Sequence, residues 1–193
     1  MTEKSGSLKA QLFSLVLIIL VLAMGFEIFL LVRENRKLRS ALNAPRGPFK
    51  MLNPEEKVPP LVGVDLKGEG VRLDYPSSKK TVLFWFSAAC PSCEHNLEFW
   101  KEIYHAHSSG KVRFFGVTRS GDEKTEELVR EFQLEFPIMI VSDFSLLDRY
   151  RVEVIPQTML IDDNGIVRKV WPGPLSENYK REIEGMISSS SES

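Results

Sequence analysis

Residues Thr81 to Trp100 read TVLFWFSAACPSCEHNLEFW, and this stretch decides the fold. Thr81 to Phe86 is an unbroken apolar, aromatic and β-branched run, the pattern of a strand buried on both faces, and Ser87 to Ala89 makes a short turn out of it. A helix is predicted to follow at once. Pro91 suits the first helical position, where a missing N–H costs nothing, and Leu97, Phe99, Trp100, Ile103 and Tyr104 supply apolar residues at helical spacing. Cys90 then stands at the mouth of the helix. Cys93 lies one turn further in on the same side, within reach of a disulfide without backbone movement.

Free N–H groups and the positive end of the helix dipole favour a thiolate over a thiol. Cys90 is therefore the expected attacking sulfur and Cys93, more enclosed, the resolving thiol. A C-x-x-C at a strand-to-helix junction points to dithiol redox chemistry, with half of a zinc site or two inert core cysteines as the alternatives. Zinc needs two more ligands, and the chain has no other cysteine. His95, His105 and His107 all fall on the same predicted helix or its end, where a solvated face accounts for them. A copper-delivery module built from Cys90, Cys93 and a histidine such as His95 is a further alternative. The expectation is that no metal and no cofactor is needed.

Outward from this stretch, 193 residues with a net charge of −1 allow one domain of ordinary size plus an extra piece, and give no sign of nucleic-acid binding. The extra piece is N-terminal. After a tail of residues 1–11, Leu12 to Val32 is apolar except for Ser14, Gly25 and Glu27, long enough to cross a bilayer as one transmembrane helix. A cleaved signal peptide ending near Ala23-Met24-Gly25 is the main alternative, but Ile28 to Val32 continues the apolar run past that site. A buried core helix has no adjoining domain to enter. Arg33, Arg36, Lys37 and Arg39 after the span outnumber Lys4 and Lys9 before it, which by the positive-inside rule favours a cytoplasmic C-terminal domain. A tethered dithiol is most useful where disulfides persist, and the reading adopted is an extracytoplasmic, periplasmic domain on a single-pass bacterial inner-membrane anchor.

Residues 33–57 read as a stalk and a proline-rich linker. Ile28, Leu31, Asn35, Leu38 and Leu42 keep a 3-4-3-4 spacing that would allow a weak parallel pair with Asn35 fixing its register. A single amphipathic stalk on lipid headgroups explains the same residues and is preferred. The globular domain is placed at 58–187. Leu61 to Leu66 and Val71 to Leu73 form a hairpin, and Val112 to Thr118 a second buried strand parallel to the first. Asp122 to Phe132 is an amphipathic helix, Pro137 to Val141 a strand and Ser145 to Tyr150 a short helix. In Val152 to Asp162, VEVIPQTMLID, Pro156 marks a strand end with an open backbone edge, as either a cis or a strand-initiating trans proline. The turn at Asp163-Asn164-Gly165 leads into Ile166 to Trp171 as an antiparallel hairpin, Tyr179 to Ile187 closes the domain as a helix, and 188–193 is a polar tail.

Strand, C-x-x-C helix, strand, helix, then I-P-x-T before a hairpin and a final helix resembles the thioredoxin fold. The N-terminal hairpin, the helix–strand insertion before Phe136-Pro137, the Tyr150-x-Val152 pair and the anchor make the chain similar to the TlpA/ResA-like tethered thiol-disulfide oxidoreductases, with MauD-type proteins close in pattern. The resemblance implies that Cys90 is the nucleophile, Cys93 the resolving thiol and Pro156 a cis-proline facing the disulfide. Ile155, Ala89, Pro91 and Ser92 would face the substrate, Ile155 through its backbone. It implies protein thiols and disulfides as substrates, a membrane electron donor, and by analogy a reductase, with a MauD-type oxidase or isomerase as the alternative.

The chain departs from the family at three places. Ala89 stands where tryptophan is usual before the first cysteine. Phe84 replaces the acid of thioredoxins, and Asn96 the glutamate of ResA-like reductases. A peroxiredoxin-like peroxidase is a different class of reading: Ser87 stands where its site needs a hydroxyl, but Phe84 stands where it needs proline.

Overall fold

A computed structural model of the chain describes residues 17, 19–35, 50–121 and 123–188. It divides into two units, Met1–Pro48 and Phe49–Ser193. In the first, helix α1 spans 19–35, and its apolar side chains, from Leu20 to Val32, are exposed. It carries Glu27, Arg33 and Glu34. Among the described residues no helix is long and apolar enough to cross a membrane. Residues 12–16 and 18 of the expected span, Leu38 and Leu42 of the stalk pattern, and residues 189–193 of the tail lie outside the described residues.

The second unit is built on one seven-stranded sheet. Its strands are β1 (Leu61–Val64), β2 (Gly70–Leu73), β3 (Lys80–Trp85), β4 (Val112–Thr118), β5 (Ile138–Ile140), β6 (Gln157–Ile161) and β7 (Val167–Pro172), in the order β2-β1-β5-β4-β3-β6-β7. Four helices follow the chain between and after them: α2 (Pro91–His107), α3 (Glu123–Glu131), α4 (Phe144–Arg149) and α5 (Glu177–Ser188). β3 and β4 run parallel, as a strand–helix–strand unit requires, and β3 is antiparallel to β6 on its other side.

Because side chains alternate across a strand, the all-apolar β3 feeds two cores at once. Val82 and Phe84 enter one with Leu97, Trp100 and Ile103 of α2, while Leu83 and Trp85 enter the other with Met159, Leu147 and Tyr150. Phe84 stacks on Trp100 at 4.8 Å between centroids and meets Phe136 edge-on at 5.1 Å. That packing fixes α2 against β3. It also shows what Phe84 does in place of an acid: it fills the core beneath the helix.

Residues 50–57, assigned from sequence to the linker, lie in the folded unit. Leu52 is buried, Glu55 N donates to Val167 O and Val167 N donates to Glu56 O, so the segment lies along β7. Proline spacing conceals this, because a strand-like segment bonded only at intervals has no periodic apolar pattern. The expected hairpin of β1 and β2 forms with Leu61 opposite Leu73, and β1 also pairs with β5 through Val64 and Ile140.

Candidate active site

The backbone at the end of β3 prepares the first cysteine. Phe86 N still bonds Val117 O across to β4, after which Cys90 N donates to Ser87 O and closes the turn. Cys90 is the N-cap residue of α2, extended at φ −114° and ψ 100°, with Pro91 at the first helical position. Cys93 N donates to Cys90 O. Both cysteines are free thiols, Cys90 half-buried and Cys93 buried at 1% exposure.

The two sulfurs have opposite environments. At Cys90, burial works to raise the thiol pKa, but hydrogen bonds from Cys93 and Ser92 outweigh it and leave the group below its ordinary value. The Ser92 hydroxyl lies 3.1 Å from the Cys90 sulfur. At Cys93, burial pushes the pKa far up, and the neighbouring Cys90 adds to it. One thiol is therefore ready to ionise at the surface while the other stays protonated beneath it.

Alkylation reads this asymmetry directly. The thiolate is the reactive form, so the rate of Cys90 modification by iodoacetamide should rise with pH through a midpoint below that of an ordinary thiol. Ser92→Ala removes one donor to the thiolate; the midpoint should move to higher pH and the rate at pH 7 should fall about threefold. An unchanged profile would remove Ser92 from the account.

A second element faces the dithiol. The Ile155–Pro156 peptide is cis, and the Ile155 carbonyl oxygen lies 3.7 Å from the Cys90 sulfur. Ala89, Pro91 and Ser92 are exposed around it, Ile155 is half-buried and Pro156 is buried. Of the residues expected at the site from sequence, Cys90 is joined by direct contacts to Ser92, Cys93 and Ile155. Trp85, at the end of β3, is 1% exposed and packs against Tyr150 in the core.

Four supporting residues were not legible as such. Trp100 Nε1 of α2 donates to Thr158 Oγ1 at 3.0 Å, which ties the C-P-S-C helix to β6, directly after Pro156. Gly173, at φ 75°, donates its N–H to Pro156 O at 2.7 Å. Asn96, fully buried, donates Nδ2 to Gly173 O and accepts from Leu175 N at Oδ1. Where ResA-like reductases carry glutamate, this chain has a neutral amide with both ends engaged by the loop that holds Pro156. The only sequence signal was that a carboxamide stands at an inward helix position, where a buried polar group must find partners.

This arrangement can do one kind of chemistry well. A half-buried sulfur with a lowered pKa can attack a disulfide sulfur, and a buried thiol one turn away can resolve the product. The comparisons with known proteins agree. A model of the AhpC/TSA family matches residues 54–170. Sporulation thiol-disulfide oxidoreductase A of Bacillus subtilis (strain 168) is 30% identical over 135 residues, 66% of this chain and 82% of its own length. Thiol-disulfide oxidoreductase ResA of Oceanobacillus iheyensis is 26% identical over 176 residues, 88% of this chain and 86% of its own. In fold, the thioredoxin domain of a thiol-disulfide oxidoreductase from Bacteroides vulgatus superposes with a TM-score of 0.61 at 20% identity, covering 70% of this chain and 99% of that one. From the dithiol, its partner proline and these likenesses together, the chain belongs to the AhpC/TSA family and is a ResA-like thiol-disulfide oxidoreductase of thioredoxin fold.

Proposed function

We propose that the chain is a membrane-tethered reductase that exchanges disulfides with extracytoplasmic protein substrates through Cys90 and Cys93. The observation that supports dithiol exchange is the inequality of the two thiols, a half-buried sulfur with a lowered pKa beside the Ile155 carbonyl over a buried sulfur with a raised one, while the reducing direction is taken from the resemblance to the TlpA/ResA-like proteins. The Cys90 thiolate attacks one sulfur of a substrate disulfide; that S–S bond breaks, and the departing substrate thiolate takes up a proton. Cys93 then loses its proton and attacks the Cys90 sulfur of the mixed disulfide. The second substrate thiol leaves, the substrate has gained two electrons, and Cys90 and Cys93 are joined. Two electrons from a membrane donor restore the dithiol. Pro156 shields the disulfide, while Ile155, Ala89, Pro91 and Ser92 form the surface on which the substrate lies. No step draws on a metal or organic cofactor.

The tether is Leu12 to Val32. Its support is the continuous apolar run, the exposure of every apolar side chain described on α1 and the reach of the similarity to the Oceanobacillus iheyensis ResA, 88% of this chain. The domain faces the periplasm because a dithiol reductase has work where protein disulfides form.

Equilibration of the full chain in graded glutathione buffers tests the direction. A reductase should give a potential below about −250 mV, beneath the glutathione poise, whereas a value near or above about −180 mV would make it an oxidase or isomerase of MauD type. Protease accessibility of the domain in right-side-out and inverted vesicles tests the orientation; cleavage in inverted vesicles alone would place the domain in the cytoplasm. Consumption of hydrogen peroxide at a rate that exceeds disulfide exchange would favour a peroxidase, for which Phe84, buried in the core, supplies nothing.

A further inference from the structure

Residues 50–59, just before β1, are stitched to the fold at two places. On one side Glu55 N donates to Val167 O, Val58 N donates to Gly165 O and the Glu55 carboxylate pairs with Arg168, which holds the segment to the β6–β7 hairpin. On the other side it meets the turn after α4. The Arg151 guanidinium forks onto the Glu56 carboxylate, with both contacts at 3.0 Å, and donates to Met51 O at 3.2 Å. Lys50 N donates to Glu153 Oε2 at 3.1 Å, and Tyr150 OH donates to Pro59 O at 2.7 Å. A forked guanidinium–carboxylate pair fixes direction as well as distance.

The turn and the segment hold each other in conformations unfavourable in isolation. Arg151 is at φ 47° and Glu55 at φ 73°, two of the three non-glycine residues with positive φ among the described residues. Left-handed backbone persists at such residues where the surroundings impose it. The turn leads to Ile155. Arg151 N donates to Asp148 O, Val152 N to Leu147 O and Glu153 N to Arg151 O, after which the amides of Val154 and Ile155 have no hydrogen-bond partner among the described residues. The next fixed point is Pro156 O, bonded by Gly173 N. The Ile155 carbonyl, 3.7 Å from the Cys90 sulfur, takes its place from these two ends.

We propose that Arg151 is a positioning residue for the reactive sulfur: clamped by Glu56 and Met51, it sets the turn that holds the Ile155 carbonyl against Cys90. The proposal deepens the exchange reading above and rests on it for the role of Cys90. A carbonyl oxygen accepts from the thiol S–H and has nothing to donate to a thiolate, so its place at the sulfur favours the protonated form. The clamp thus works against Ser92, whose hydroxyl at 3.1 Å favours the thiolate. With the turn released, the Ile155 oxygen leaves the sulfur and Cys90 ionises more readily. A stretch with the composition of a linker is in this way part of the support of the site.

The test is the pH profile of Cys90 alkylation by iodoacetamide, on the full chain in detergent. Arg151→Ala should lower the midpoint by about half a pH unit, roughly a threefold rise in the thiolate fraction below it. Arg151→Lys, which keeps the charge and one contact, should fall between that variant and the parent. Should Arg151→Ala fail to fold, Glu56→Gln carries the same expectation with a smaller shift. Glu55→Gln loosens the same segment at its hairpin end and should leave the midpoint in place. An unmoved or raised midpoint in Arg151→Ala overturns the proposal, and so does an equal shift in Glu55→Gln, which would mean general softening. If the parent midpoint is that of an ordinary thiol, the reading of Cys90 as an activated sulfur has itself failed. The clamp is then decided by position alone, through the ¹³C carbonyl signal of Ile155 in the one Ile-Pro pair of the sequence. A signal that moves in Arg151→Ala and stays in Glu55→Gln supports the clamp, and the same behaviour in both variants removes it.

Discussion

Cys93→Ser protein, mixed with a disulfide-bonded substrate, should accumulate a covalent adduct through Cys90, while Cys90→Ser should show no exchange above the uncatalysed rate. The reason is geometric. Cys93 lies one turn along α2 from Cys90, with its backbone N–H on the Cys90 carbonyl, so attack on the mixed disulfide is intramolecular. Held reactants of this kind gain effective concentrations far above any free thiol, and without Cys93 the adduct should persist on the order of 10³-fold longer or more. A serine oxygen forms no disulfide, so nothing replaces Cys90. Non-reducing electrophoresis and intact mass measure both outcomes; turnover by Cys93→Ser at the parent rate would reverse the roles assigned to the two sulfurs.

The second large effect is on the scaffold. Trp100 is fully buried, stacks on Phe84 and donates its indole N–H to Thr158, so one side chain joins α2, β3 and β6. Trp100→Ala leaves a cavity where these elements meet and a hydroxyl without its donor, and should cost about 3–5 kcal/mol. At a few degrees per kcal/mol for a domain of this size, the thermal midpoint should fall by roughly 10–20 °C. Trp100→Phe keeps most of the packing and should lose about 1–2 kcal/mol. A drop of only a few degrees for the alanine variant, followed by circular dichroism, would mean that α2 is held elsewhere.

The active-site stretch was legible because it is locally dictated. An apolar run such as Thr81 to Phe86 has few options besides a buried strand, and Pro91 fixes where the next helix begins. The I-P-Q-T stretch was legible for the same reason, since a proline at the head of a strand has a restricted place. The order of strands was not. That β3 lies between β4 and β6 follows from which faces bury together, which no single segment encodes. Residues 50–57 were misplaced for a related reason: their bonds go to β7, more than a hundred residues away along the chain. The functions of Asn96, Thr158 and Gly173 escaped because each depends on a partner distant in sequence.

The proton that the buried Cys93 thiol retains sets how many protons accompany the electrons. Reducing the disulfide consumes two electrons and, below the Cys90 pKa, two protons; above it, one. The potential should therefore fall by about 59 mV per pH unit on the acid side of that point and about 30 mV beyond it. A carboxylate titrating against the buried thiol would add a further bend. Phe84 and Asn96, set by the family resemblance at the positions of such carboxylates, exchange no proton. The curve should break at the Cys90 pKa, below that of an ordinary thiol. Acidification then weakens this dithiol as an electron source by proton mass action alone, with no dedicated sensor.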